Sequence, residues 1–133
     1  NIEVRIKLGA ALVRAKRFTE AIEHLSLVVA SQPDRREGHA GLATALYGAS
    51  RFAEAAREFG WIAEREPQVA FVQFYLGASL DRIGSCTEAL AAFERFLSLA
   101  DSTADRARID EVNLRIPGLK RQIDRGCGKE SKK

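Results

Sequence analysis

A chain of 133 residues that is 46% apolar and 29% charged has the makings of one soluble domain or a short repeat array. No run approaches the ~20 consecutive apolar residues that a membrane-spanning helix requires, so such a helix is excluded. The net charge of +3 is uneven: the segment from Leu119 onward carries +4 and residues 1–118 carry −1, so the body lacks the basic stripe that nucleic-acid binding demands.

The first ten residues, NIEVRIKLGA, have no apolar secretory core, and the chain contains no Met. Residue 1 is therefore expected at an internal or processed position, and the compartment is left open. Ile2–Arg14 sets Ile6, Leu8, Gly9 and Leu12 at the spacing of one helical face. Lys16-Arg17 crosses a tight turn, and Thr19 is the expected cap of a second helix whose apolar face is Ala21, Ile22, Leu25, Val28 and Val29. Gln32-Pro33 ends that helix, because the residue before a proline is pushed out of the helical region. Asp34 and Glu37 have the form of a capping box ahead of a second helical pair, His39–Tyr47 and Ala53–Glu64, which Glu66-Pro67 closes.

The third pair spans Phe71–Ala100 around the turn Ile83-Gly84-Ser85. Phe74, Leu76, Gly77 and Leu80 line its first helix, and Ala89, Leu90, Phe93, Phe96 and Leu97 its second, with Ser85 and Glu88 as another capping pair. Thr103–Ile116 reads as a further helix begun by Ser102 or Thr103, with Val112, Ile116 and Ile109 toward the core. Pro117-Gly118 is expected to interrupt it. Leu119–Arg125 follows as a short helical continuation, and Gly126–Lys133 as a disordered, solvated tail.

Sliding the sequence by 34 residues superposes it on itself. Leu8, Leu42 and Leu76 coincide, as do Gly9, Ala43 and Gly77, and Leu12, Leu46 and Leu80. In the second helices Phe18, Phe52 and Cys86 share a slot, followed by Ala21, Ala55 and Ala89, then Leu25, Phe59 and Phe93, then Val28, Ile62 and Phe96. Pro33 and Pro67 close two copies and Asp101 takes the third slot. Small residues at the first and second alanine/glycine slots let paired helices touch, while large neighbours fill the space between pairs. This pattern resembles the tetratricopeptide repeat family, whose helix-turn-helix units stack into a right-handed superhelix. The resemblance covers residues 2–101. It departs from the family where Arg5, His39 and Gln73 occupy a slot that often holds Trp. It implies an all-α solenoid over residues 1–118, with repeats at about 2–33, 34–67 and 68–101 and a capping helix at about 103–116. Residues 119–133 would form the continuation and tail.

Catalytic and ligand motifs do not emerge. His24 and His39 sit on different helices without Cys or paired carboxylates at ligand spacing, and Gly38 and Gly41 fall inside a helix, so no metal, cofactor or enzyme activity is expected. Cys86 stands where earlier copies carry Phe and reads as apolar filler; Cys127 reads as an exposed tail residue, with a Cys86–Cys127 bridge as the alternative.

What the resemblance implies about function is a concave surface lined by the first helix of each unit, where a peptide or partner helix binds. Ile6, Val13, Tyr47, Phe71 and Phe74 are the expected apolar strip, with Glu3, Glu37, Asp81, Arg14 and Arg82 at its edges. Family members that hold chaperone C-terminal carboxylates use Lys, Asn and Arg at slots that here carry Ile6, Ala10, Gly41, Phe74 and Ala78. None of these donates a side-chain hydrogen bond, so no chaperone tail is an expected partner. The partner is thus an unidentified protein or peptide. A homo-oligomer, or service as an accessory domain of a larger enzyme, is the alternative.

Overall fold

The computed structural model describes residues 1–127. They form seven helices and no strand: α1 (Ile2–Arg14), α2 (Phe18–Ser31), α3 (Arg36–Gly48), α4 (Phe52–Arg65), α5 (Ala70–Arg82), α6 (Cys86–Leu99) and α7 (Arg106–Asp124). Two compact units result, Asn1–Arg65 and Glu66 onward. In the first, α1 pairs with α2 and α3 with α4, and α3 also packs on α1 and α2. In the second, α5 pairs with α6 and α7 lies on α6.

Close helix crossings explain the small-residue slots. A Cβ placed on Gly9 would stand 2.6 Å from Leu25 Cγ, and one on Gly77 would stand 2.7 Å from Phe93 Cδ1. Ala43, in the same slot of the second pair, is fully buried. Leu25, Val28 and Ile62 in the first unit, and Val72, Phe96, Val112 and Leu119 in the second, have almost no exposed surface. At about 25 cal/mol per Å² of apolar surface removed from water, such side chains dominate the cohesion of each unit.

The three hairpin turns share one backbone device. Lys16, Ser50 and Gly84 occupy equivalent slots and all adopt the left-handed conformation, with φ of 60°, 61° and 80°. The next residue then donates its N–H back across the helix end: Arg17 to Leu12 O at 2.8 Å, Arg51 to Leu46 O at 2.8 Å, and Ser85 to Leu80 O at 2.9 Å. This closure satisfies carbonyls that the last helical turn leaves unpaired.

Helix starts differ from the capping expectations. Thr19 lies inside α2, whose N-cap is Arg17, and that guanidinium forks onto Glu20 at 2.7 and 2.8 Å. Arg51 grips Glu54 in the same way at 2.8 Å through both contacts. Asp34 does not cap α3, which starts after Arg35 with no side-chain cap, and Glu37 turns instead to Arg35 at 3.0 Å. Ser85 holds the N-cap position of α6 without a side-chain bond. The charge-assisted fork takes the first-turn carboxylate that a capping box would use, while leaving it near the positive helix terminus.

The C-terminal region is the largest correction. Asp101 Oδ1 accepts from the N–H groups of Thr103 (2.9 Å) and Ala104 (2.7 Å), so residues 102–105 form a turn and α7 begins only at Arg106. The helix then runs through Pro117 without interruption to Asp124. Proline inside a helix costs about 3 kcal/mol. Anchors on both sides of it offset that cost: Val112 and Leu119 are buried, and Arg115 forks onto Asp81 at 2.7 and 2.8 Å. Beyond Gly126 (φ 104°) the chain turns back, and Cys127 forms a disulfide with Cys86, Cα to Cα 6.0 Å. Cys86 is therefore not a free apolar filler, nor is Cys127 an exposed tail residue. The unbroken α7 delivers one to the other. Residues 128–133 of the expected tail lie outside the described residues.

Candidate interaction surfaces

In the first unit, Ile6 and Val13 on α1 and Tyr47 on α3 are each half-buried. Phe52 and Phe59 of α4 hold the Tyr47 ring edge-on, with centroids 5.3 and 6.5 Å away. Two of the charges expected at the edge, Glu3 and Glu37, are already engaged. Arg35 pairs with both Glu3 and Glu37, and these bonds, Glu3 foremost, raise its pKa beyond the ordinary arginine range.

In the second unit, Phe71 is 46% exposed whereas Phe74 is only 5% exposed. The Phe74 ring packs on Tyr75, Phe96 and Phe93, with centroids 5.0, 5.4 and 6.3 Å away, and the Arg108 guanidinium stands 5.5 Å from it. Phe74 is thus a core residue and not part of an exposed strip. A large ring in a slot where the earlier copies carry Ile6 and Ala40 reaches into the hairpin's own aromatic cluster. Asp81, expected as a groove charge, is bound by Arg115 of α7, and this contact raises the arginine's pKa.

The slot that departs from the family pattern turns out to carry polar connections. His39 sets Nε2 2.6 Å from Pro33 O and Nδ1 2.6 Å from Glu58 Oε1. Its ring stacks on Trp61 at 3.7 Å, and the Arg65 guanidinium lies 3.8 Å from the same Trp ring. One repeat later, Gln73 donates to Pro67 O at 3.3 Å and accepts from Arg95 at 3.1 Å. In the first repeat, Arg5 instead contacts His24 Nδ1 at 3.0 Å. Both histidines are thereby engaged in structural contacts. Among the described residues no group of three or more His, Cys, Asp or Glu side chains gathers at metal-binding geometry, and no helix is long and apolar enough to cross a membrane.

A tetratricopeptide repeat family model matches residues 40–106, half of the chain. The chain belongs to the tetratricopeptide repeat family. No curated protein sequence matches it. Among solved structures it is similar to MamA of AMB-1, at 25% identity over 98% of this chain and 67% of that one, with a TM-score of 0.81. MamA of Desulfovibrio magneticus RS-1 gives 15% identity, coverage of 92% and 77%, and a TM-score of 0.74. The first repeat domain of Spaghetti (RPAP3), solved with the HSP90 peptide SRMEEVD, gives 16% identity, coverage of 92% and 93%, and a TM-score of 0.74. The all-α tetratricopeptide solenoid fold is thus shared with these proteins. Such a fold is typically a scaffold for protein interaction, and that is the general function of this module.

Proposed function

We propose that this tetratricopeptide module captures a peptide or helix of a partner protein through apolar side chains on the first helices of its repeats, and that it works without catalysis. The observation that carries this reading is the pairing of family membership with an exposed aromatic, Phe71, on α5. Ile6, Val13 and Tyr47 supply half-buried apolar surface in the first unit. Phe74 is left out because its ring already belongs to the core. Affinity capture from the source organism, with partners identified by mass spectrometry, tests the proposal. Tyr47→Ala combined with Phe71→Ala should lose the specific partner while keeping the wild-type circular dichroism spectrum. Undiminished capture by this double variant would sink it.

The same reading rejects chaperone tails. The RPAP3 domain was solved with SRMEEVD, but the slots matched to a carboxylate clamp here hold Ile6, Ala10, Gly41, Phe74 and Ala78, which offer no side-chain donor. Calorimetric titration with SRMEEVD should show no binding. Micromolar affinity would overturn this expectation.

A further inference from the structure

We propose that the Cys86–Cys127 cystine is a thiol–disulfide exchange site for an anionic low-molecular-weight thiol, whose sulfur bonds to Cys127 and releases Cys86. The proposal is independent of the partner-capture reading above, since it concerns only the end of α7 and the start of α6. The two sulfurs differ in access. Cys86 is 3% exposed, whereas Cys127 is half-buried and lines a depression of about 390 Å³ together with Asp81, Gly84, Arg115, Gln122 and Arg125. An attacking thiolate approaches one sulfur along the S–S axis, from the side away from the other, so access selects Cys127 as the atom attacked.

The surroundings of the other sulfur suit its departure. Cys86 is the first residue of α6, whose start has no side-chain cap, so the departing thiolate is set against the positive end of that helix. Burial opposes a lasting anion there. Gly84 O and Gln122 Oε1 stand 3.6 and 3.8 Å from Cys86 Sγ and can accept from the S–H that replaces it. The step balances without a further oxidant or reductant. The incoming thiol gives its proton to water and its sulfur bonds to Cys127 Sγ. The S–S electron pair leaves on Cys86 Sγ, which then takes up a proton. Charge in the depression sets the class of thiol. Asp81 neutralises Arg115 through the fork at 2.7 and 2.8 Å, but Arg125 is exposed and has no carboxylate partner among the described residues. The chain from Leu119 onward carries +4 in all. A carboxylate on the incoming thiol therefore meets a guanidinium in the same depression as the sulfur under attack.

Glutathione is the probe. The whole oxidised chain is exposed to it for increasing times, quenched with N-ethylmaleimide and mapped by mass spectrometry. Glutathione is expected on Cys127 and maleimide on Cys86, with the reverse pairing at least about tenfold rarer. Urea should erase this preference, because it comes from the fold and not from the glycines that flank Cys127. Cys86→Ser, which cannot reclose the bridge, should hold the Cys127 adduct when offered oxidised glutathione. Compared per thiolate at low salt, glutathione should react faster than cationic cysteamine, and Arg125→Glu should lower that ratio about fivefold or more. Arg125 is exposed, so its variant should melt like the wild type. Two free thiols in the untreated chain, or glutathione carried mainly by Cys86, would overturn the proposal. So would the absence of a Cys127 adduct from both wild type and Cys86→Ser, or a thiol ratio that Arg125→Glu leaves unchanged.

Discussion

The two units solve the same packing problem with different chemistry. In Asn1–Arg65 the second repeat is clasped by polar and aromatic contacts: His39 joins the Pro33 carbonyl, the Glu58 carboxylate and the face of Trp61. In the unit from Glu66 onward the equivalent residue, Gln73, makes two longer bonds, donating to the Pro67 carbonyl and accepting from the Arg95 guanidinium. Cohesion there comes from the Phe74/Phe93/Phe96 cluster and from a covalent link, Cys86–Cys127. The backbone requirement is constant, a donor reaching the carbonyl of the proline that ends the preceding repeat. Either an aromatic clasp or an amide meets it, provided that the remaining cohesion is found elsewhere.

The contrast breaks most severely at the disulfide. Cys127→Ser should destabilise the second unit by about 2–4 kcal/mol, as expected for opening a loop with a sequence separation of 41 residues. Hydrogen exchange should report the loss across α7 and leave α1 and α2 at wild-type protection. Uniform acceleration over both units would contradict the division. Next comes the clasp. His39→Ala should cost about 2–3 kcal/mol because it strands the Glu58 carboxylate and uncovers Trp61. Gln73→Ala should cost only about 1–2 kcal/mol. Equal losses in urea titrations would mean that the two slots are energetically alike.

Smaller effects lie in the turns. Lys16→Gly and Ser50→Gly should each stabilise by about 0.5–1 kcal/mol, since both side chains occupy the left-handed region, whereas Gly84→Ala should destabilise by about 1 kcal/mol. Thermal melts of the three variants compare the turns directly, and a loss on Lys16→Gly would show that its side chain contributes more than its conformation costs. The smallest effect concerns pH. The Ala104 N–H, and after it that of Thr103, holds the Asp101 carboxyl below the ordinary carboxylate range. Its contribution is therefore present above the unfolded-state value and fades as pH falls through the lower folded-state value. Asp101→Asn should flatten the acid limb of the stability profile slightly. Parallel profiles for variant and wild type would refute the assignment.

The repeat architecture was legible because slots recur: Gly9, Ala43 and Gly77 announce close helix crossings in any context, and the geometry at Leu25 and Phe93 confirms them. Features that depend on the far end of a side chain were not. Phe74 falls in a slot assigned to the strip, yet only the positions of Phe93 and Phe96 determine which way its ring turns. Pro117 reads as a break because the local rule is sound; the anchors that override it, Leu119, Arg115–Asp81 and Cys127, act across elements. Cys86 reads as filler because its slot holds Phe in the earlier copies, and Cys127 as exposed because glycines flank it; the alternative, their bridge, is what forms, and it depends on where α7 ends. Leu8 shows the converse limit. Its slot predicts burial, yet Leu8 is 41% exposed where Leu42 and Leu76 are buried.

The Cys86–Cys127 link also sets how the second unit bears mechanical load. A pull applied to the chain beyond Cys127 passes through the disulfide directly to the start of α6. Residues 87–126, including the whole of α7, lie in a closed ring outside the force path. Tension on the C-terminal end would therefore bypass α6 beyond Cys86 as well as α7, and could extend neither until the sulfur bridge had been cut.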